Sequence, residues 1–162
     1  MPTVADTQRH EEARTAAGSS RDQRVAPAHA APAPVVVTRE TGLRFSAQVR
    51  THRVVVDQPV RGGGNDSAPT PVELLSAALG ACISLYVYQF LTARSLSTQG
   101  LGVEVDMLRG DGHAISGFVV RLTLPSGLDA HQRSLAERVA QSCPVHHVFS
   151  HAMDIAVQVA PE

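Results

Sequence analysis

The segment Pro69–Ser95, PTPVELLSAALGACISLYVYQFLTARS, decides the fold of this chain. Its start carries a helix-initiation signal: Thr70 suits the N-cap, Pro71 suits the first helical position, and Glu73 falls at the third. Thr70 and Glu73 form a capping box, in which each side chain satisfies a backbone N–H that the helix leaves unpaired. The residues that follow are apolar or small as far as Arg94, so the pattern predicts a central helix buried on most sides.

The two faces of this predicted helix differ in side-chain size. Apolar residues recur at spacings of three and four on one face, and small residues occupy the opposite face, where another helix or backbone could approach closely. The apolar face contains Leu75, Ala78, Leu79, Cys82, Leu85 and Tyr86, and the small face contains Ala77, Gly80, Ala81 and Ser84. The longest apolar run, Leu74–Leu91, barely reaches the length of a membrane span and is interrupted by polar residues, which favours a buried helix.

Composition narrows the classes of partner. The chain has 162 residues, which favours one domain, and its 43% hydrophobic content is enough for a packed core. Aromatic residues make up only 4%, with no Trp, which argues against a stacking platform for single-stranded nucleic acid. The net charge of −1 leaves no electrostatic footprint for nucleic acid or an anionic membrane. We therefore expect small molecules or other proteins as partners.

Residues 1–34 differ in kind from the rest. They are polar and small at first and then Ala/Pro-rich (RVAPAHAAPAPV), without apolar periodicity, so we expect a disordered tail before a folded domain over residues 35–162. The first residues also lack the apolar region of a secretory signal. A cytoplasmic location is therefore expected, where two cysteines normally stay reduced unless they have a catalytic or redox task.

Short elements flank the central helix. VVVT and LRFSAQV predict two strands with RETG as their turn, and HRVVVDQP predicts a third. VRGGGNDSAP is expected to be a flexible loop, because no Lys-Ser/Thr follows its glycines as a phosphate-binding loop requires. After the helix, LGVEVDML and AISGFVVRLTLP predict an antiparallel hairpin.

The last third of the chain predicts two helices and a strand. DAHQRSLAERVAQS is amphipathic and capped by Asp129, CPVHHVFSHA begins a short helix with Pro144 just inside its start, and DIAVQVA alternates as a strand does. Strands and helices in separate runs indicate an α+β fold, in which a long helix packs on an antiparallel sheet.

The two cysteines are the main candidates for chemistry. Cys82 lies mid-helix among apolar residues, which raise a thiol's pKa, so it is either a packing residue or a thiol held for reaction. Cys143 stands before Pro144 at a helix N-terminus, where backbone donors and the helix dipole favour a thiolate. With His146 and His147 one turn on, it is either an N-cap beside surface histidines or a reactive thiol.

A metal site is the competing interpretation of the second cysteine. The candidate ligands recur at helical spacing, and zinc accepts Cys and His; they are Cys143, His146, His147 and His151. No second Cys pair and no HExxH motif accompany them, so the sequence favours neither a metal nor a cofactor site.

Two motifs taken together resemble the OsmC/Ohr family, the osmotically inducible protein C and organic hydroperoxide resistance proteins. TPVELLSAALGAC is followed at a distance by AERVAQSCPVHHVFSHAMDIAVQV, and the preceding loop is similar to that of the broader OsmC-like branch. The resemblance implies an OsmC-like α+β fold and an intertwined homodimer with the long helices at its centre. It also implies a thiol-dependent peroxidase: Cys82 attacks an organic hydroperoxide and becomes a sulfenic acid, Cys143 resolves it as a disulfide, and a dithiol reductant, a lipoylated protein in the hydroperoxide branch, restores both thiols.

Two departures from that family leave the activation of Cys82 open. In the hydroperoxide branch a Glu directly follows the helix-initiating Pro, whereas here Val72 does and Glu73 comes one residue later, turned by ~100° around the helix. The branch also uses an arginine from the N-terminal strands, for which this chain offers Arg39, Arg44, Arg50, Arg53 and Arg61. The alternatives to a peroxidase are a non-catalytic binder of apolar small molecules in the dimer pocket and a Cys/His metal or redox sensor.

Overall fold

The computed structural model describes residues 33–112, 114–151 and 154–159. Over these residues the chain forms five strands and three α-helices, in the α+β arrangement that the sequence predicts. In chain order they are β1 (Val36–Thr41), β2 (Arg44–Val49), β3 (His52–Val56), α1 (Pro71–Thr92), β4 (Gly102–Arg109), β5 (Ile115–Thr123), α2 (Ala130–Gln141) and α3 (Pro144–Ser150). The predicted disordered tail lies outside the described residues except for Ala33 and Pro34.

The strands form two antiparallel sheets, β1-β2-β3 and β4-β5. The first turn is shorter than RETG, because β1 continues to Thr41 and pairs it with Arg44, leaving Gly42 and Leu43 to reverse the chain. Gly42 has a φ of 52°, which only glycine adopts at little cost. No strand residue of either sheet is fully buried, but alternate residues of β4 and β5, such as Val103, Val105 and Phe118, are partly buried against the core.

The helix α1 begins as predicted. Thr70 accepts the Glu73 amide through its side chain, and the Glu73 carboxylate accepts the Thr70 amide at 2.7 Å, so the capping box is complete. The helix packs against β4, α2 and α3, and its buried side includes Leu79, Ile83 and Val87. Its length and composition alone would also allow a membrane span.

The small face of α1 is used for close packing on β4. A Cβ on Gly80 would lie 3.2 Å from the Val105 side chain and 3.7 Å from that of Val103, so the helix sits as near to the strand as a glycine permits. Of the other small residues, Ala77 and Ala81 are exposed and Ser84 is half-buried. The prediction of burial on most sides is therefore wrong for one face of the helix in the single chain.

The loop before α1 is built around a buried carboxylate, contrary to the flexible loop that its glycines predict. Asp57 is 1% exposed and accepts hydrogen bonds from the amides of Gln58, Asn65 and Ser67 and from the Ser67 hydroxyl. These bonds, that of the Ser67 hydroxyl above all, lower the pKa of Asp57 to about 2. The backbone N–H groups of this loop therefore bind the Asp57 carboxylate of the chain itself.

The predicted last strand is wrong for the described residues 154–159, which have no regular structure. Their alternating apolar side chains are exposed: Ile155 by 86%, Val157 by 88% and Val159 by 94%. A strand of this pattern requires a hydrogen-bonded neighbour and a surface that covers one face. The described part of a single chain supplies neither to this segment.

Candidate functional site

The structure brings the two cysteines together. Cys143 is fully buried at the N-cap of α3, where its Sγ accepts the backbone N–H of His146 at 3.3 Å. Cys82, in the middle of α1, lies beside it with its thiol also free. Their proximity agrees with the packing of α3, which Cys143 caps, on α1, which contains Cys82.

The environment of Cys143 opposes ionisation. Burial raises the pKa of its thiol, and hydrogen bonding and charge from Cys82 raise it further, while the His146 amide acts in the opposite direction. The expectation that the helix N-terminus favours a thiolate is therefore wrong: desolvation outweighs the backbone donors. The Cys143 thiol is kept protonated, and any reaction that uses it must remove that proton.

Cys82 lies at the border between the covered and the uncovered side of α1. Its helical neighbours on one side, Ala78 and Leu85, are exposed, whereas Leu79 on the other side is 3% exposed. The cysteine itself is partly buried. Its thiol therefore has a packed flank towards Cys143 and an open flank, from which a small molecule or a second chain can approach.

The uncovered side of α1 is an apolar stripe formed by Ala77, Ala81, Leu85 and Tyr88. Leu85 is 53% exposed and Tyr88 48% exposed. Residues three and four apart lie on one helical face, so these four side chains form a continuous surface of more than two turns. A stripe of this kind next to a thiol is typical of an interaction surface.

A separate cavity of about 1070 Å³ lies on the covered side, between α1, β5, α2 and α3. Its wall is mostly apolar, with Leu79 and Ile83 from α1 and Phe118 from β5, and His146 from α3 is among its lining residues. Neither cysteine is among the described residues that line it. This cavity is therefore distinct from the open flank of the Cys82 thiol.

Glu73 and the candidate arginines are engaged elsewhere. The Glu73 carboxylate accepts hydrogen bonds from the backbone N–H and the hydroxyl of Thr70. Both bonds lower the pKa of Glu73, and the bond from the backbone N–H has the larger effect. Arg44 bonds Glu40 and the Ser67 hydroxyl, and Arg53 also pairs with Glu40. In the part of the chain that the structure describes, no arginine hydrogen-bonds Glu73 or Cys82.

The histidines after Cys143 do not assemble as a metal site. The rings of His147 and His151 stack at 5.6 Å on the exposed end of α3, and His151 Nδ1 contacts the His147 carbonyl oxygen at 3.0 Å. Cys143, by contrast, is buried at the start of the helix. Among residues 33–112, 114–151 and 154–159, no three Cys, His, Asp or Glu side chains come together to hold a metal ion.

Two residues of this region carry little signal in the sequence. Asp57, which organises the loop into α1, follows an apolar strand without any motif, and its partners lie eight and ten residues on. His146 was visible only as one of four candidate ligands. Its Nδ1 is buried and has no hydrogen-bond partner among the described residues, which only three-dimensional packing can reveal.

Comparison with solved structures finds the same fold. A proposed osmotic stress and detoxification response protein from Psychrobacter arcticus 273-4 matches with a TM-score of 0.65 and 24% identity, covering 71% of this chain and 86% of that one. An OsmC-like protein from Mycoplasma pneumoniae matches with a TM-score of 0.60 and 14% identity over 72% and 84% of the two chains. An organic hydroperoxide resistance protein from Elizabethkingia anophelis matches with a TM-score of 0.52 and 20% identity over 72% and 88%.

No curated protein matches the chain. The family model for OsmC-like proteins matches residues 63–158, a span that contains both cysteines and the whole of α1. This span is more than half of the 162 residues. The chain therefore belongs to the OsmC-like protein family.

Proposed function

We propose that this protein is a cysteine-based peroxidase that reduces organic hydroperoxides in defence against oxidative stress. The observation that carries the proposal is the proximity of Cys82, on the border of an open apolar face, to the buried thiol of Cys143, whose pKa it influences. A peroxidatic thiol needs access to substrate, and a resolving thiol needs contact with the first and protection from other oxidants. The names of solved neighbours, organic hydroperoxide resistance proteins among them, support the same class of activity.

The cycle has three steps. The Cys82 thiolate attacks the terminal oxygen of ROOH, the O–O bond breaks, and Cys82 becomes a sulfenic acid while RO⁻ takes up a proton and leaves as ROH. The Cys143 sulfur then displaces the sulfenic oxygen as water, which forms the Cys82–Cys143 disulfide. A dithiol reductant, for which a lipoylated protein is suited, reduces that disulfide and is itself oxidised to a disulfide.

Three exposed regions support a homodimer as the working form: the apolar stripe of α1, strand β1 with all six of its residues exposed, and the segment 154–159. Large apolar patches on the surface of a single chain are typical of interaction sites. Because no arginine of the described chain reaches Cys82, an activating arginine is expected from the second copy. We place this dimer in the cytoplasm, where a dithiol reductant keeps both thiols reduced between turnovers.

The test is intact mass spectrometry of the reduced protein after one equivalent of cumene hydroperoxide. The parent protein should lose two hydrogens, Cys143→Ser should gain one oxygen that a sulfenic-acid trap such as dimedone captures, and Cys82→Ser should do neither. Each single variant controls for the other, since both lack one thiol. Peroxide consumption by Cys82→Ser at the parent rate would overturn the proposal.

The cavity favours a second candidate, a non-catalytic binder of apolar small molecules. Its volume of about 1070 Å³ is at the upper end of ordinary ligand pockets. This function predicts saturable binding of an apolar fluorescent probe and an unchanged mass after peroxide. Binding that persists in the double variant Cys82→Ser/Cys143→Ser, without peroxide chemistry in the parent, would favour the binder.

A further inference from the structure

In all three α-helices the N-cap residue and the third helical residue are placed to form a capping box, but the box of α3 is incomplete. The capping boxes of α1 (Thr70/Glu73) and α2 (Asp129/Gln132) make both hydrogen bonds. In each box the N-cap side chain accepts the backbone N–H of the third residue, and the side chain of the third residue accepts the backbone N–H of the N-cap. In α3 the corresponding pair is Cys143/His146. Here the His146 amide donates to Sγ, while the return bond from the imidazole is missing and Nδ1 lies buried without a partner.

A buried nitrogen without a partner is costly, and its presence calls for a physical reason. A neutral imidazole has one nitrogen that accepts, and it takes up a proton near neutral pH. In the equivalent pair of α1, the third-residue carboxylate reaches the N-cap hydroxyl at 2.9 Å as well as the N-cap amide. A side chain at the third position can therefore reach the side chain at the N-cap.

We propose that His146 is the proton acceptor for Cys143, closing onto the thiol when Cys143 attacks oxidised Cys82. This inference rests on the two-cysteine cycle proposed above. In the step, the Cys143 S–H bond breaks and its proton passes to His146, the S–S bond to Cys82 forms, and the S–O bond of the sulfenic acid breaks. The oxygen leaves with the proton returned by His146, as water, so the histidine is unchanged at the end.

The surroundings fit this role. His146 is one of the residues that line the cavity, although its Nδ1 is itself buried. The titratable groups that face this region are Cys82 from α1, Arg133 and Glu137 from α2, and His147 on the same helix, while the cavity-lining part of β5 contributes none. Because burial keeps Cys143 protonated, a nearby base has a larger effect here than it would beside an exposed thiol.

The test separates proton transfer from helix capping. Gln at the third position completes a capping box in α2 but cannot take up a proton, so His146→Gln should fold at least as well as the parent. The step in which Cys143 closes the disulfide is measured without peroxide. A neutral aryl disulfide first forms a mixed disulfide on Cys82 and releases one aryl thiol. Cys143 then displaces the second aryl thiol, and the absorbance of this thiol is followed. We expect the disulfide to close about 100-fold more slowly in both His146→Gln and His146→Ala. Added imidazole should accelerate closure in His146→Ala. As the pH is raised, the closure rate of the parent should reach its plateau at a lower pH than the closure rates of the variants.

The matched control is His147→Gln, which changes an exposed histidine of the same helix outside the cavity wall and should close at the parent rate. Closure of His146→Gln at the parent rate, or equal slowing in His147→Gln, would overturn the inference. The same variants are also treated with cumene hydroperoxide. If cumene hydroperoxide never produces the sulfenic acid in these proteins, the peroxidase proposal fails, while the experiment with the aryl disulfide still decides the role of His146.

Discussion

The hydroxyl and the amide of Ser67 both donate to the Asp57 carboxylate, at 2.7 Å and 3.2 Å, and thereby fix the loop that leads into α1. Ser67 also accepts a hydrogen bond from Arg44 at 2.6 Å, so the same side chain connects the loop to the three-stranded sheet. The amide of Asp57 donates to the carbonyl oxygen of Pro69, directly before the N-cap Thr70. The position of the Cys82 helix therefore depends on a buried anion thirteen residues before the N-cap.

Asp57→Asn should lower the melting temperature of the protein. The amide retains one oxygen acceptor, but its NH2 group faces backbone N–H donors that had a carboxylate oxygen as their partner. Thermal unfolding followed by circular dichroism measures the change. Asp66→Asn is the matched control, because Asp66 lies in the same loop, is exposed, and has no side-chain hydrogen bond among the described residues; an equal loss in both variants would contradict the role of Asp57.

The contribution of Asp57 should depend on pH below about 4. Its pKa falls from an ordinary 3.8 to about 2 in the folded chain, so folding favours the ionised carboxylate. The resulting stability is fully present above the ordinary value and is lost as the pH falls towards 2. The difference in melting temperature between the parent and Asp57→Asn should therefore shrink as the pH is lowered from 5 to about 2, and a difference that grows over this range would refute the assignment.

Gly64→Ala should destabilise the loop, whereas Gly62→Ala should not. A Cβ on Gly64 would lie 2.0 Å from the Gln58 carbonyl oxygen, a backbone atom that cannot move without breaking the loop. At Gly62 the nearest atom, in the Gln58 side chain, is 3.7 Å away, an ordinary contact. We expect a loss of about 1–3 kcal/mol in urea unfolding for Gly64→Ala and little change for Gly62→Ala; equal effects would show that the close approach is relieved elsewhere.

Local signals in the sequence predicted the parts of the fold that local contacts determine. The start of α1 at Pro71, the cap of α2 by Asp129 and the start of α3 at Pro144 each depend on residues within one turn, and all three are confirmed. The alternation of β4 and β5 also needed only a period of two residues, and their hairpin is confirmed. The OsmC/Ohr resemblance was carried by two such local motifs, and the family is confirmed as well.

The predictions that failed depended on contacts distant in sequence. The glycines of the loop gave no sign that Asp57 would gather its amides from residues eight and ten positions away. The helix N-terminus at Cys143 argued for a thiolate, but the burial that reverses this comes from the packing of α3 on α1. The roles of Cys82 and Cys143 in catalysis stay predictions.

Glu73→Gln should preserve both folding and peroxide chemistry. The structure gives Glu73 a capping role, with its carboxylate on the Thr70 amide and hydroxyl, and Gln can accept the amide bond through its side-chain oxygen. Thr70→Ala, which removes the other half of the box, should cost about 1 kcal/mol in chemical unfolding, more than Glu73→Gln. If Glu73→Gln stays folded but loses most of its hydroperoxide turnover, Glu73 acts on the thiol as well as on the helix.

If the proposed homodimer forms through the apolar stripe of α1, Leu85→Arg should make the protein monomeric and slow the oxidation of Cys82. Leu85 is at the middle of the exposed apolar stripe of α1 and one turn from Cys82, so a charge there would be buried without a partner in any interface that covers the stripe. Sedimentation velocity at micromolar concentration measures the first effect, and sulfenic-acid trapping measures the second. The control Ser126→Arg adds the same charge to an exposed turn before α2 and should change neither. A Leu85→Arg protein that sediments as the parent does would place the dimer contact on another surface, and normal Cys82 oxidation in a monomer would show that the thiol needs no residue from a second chain.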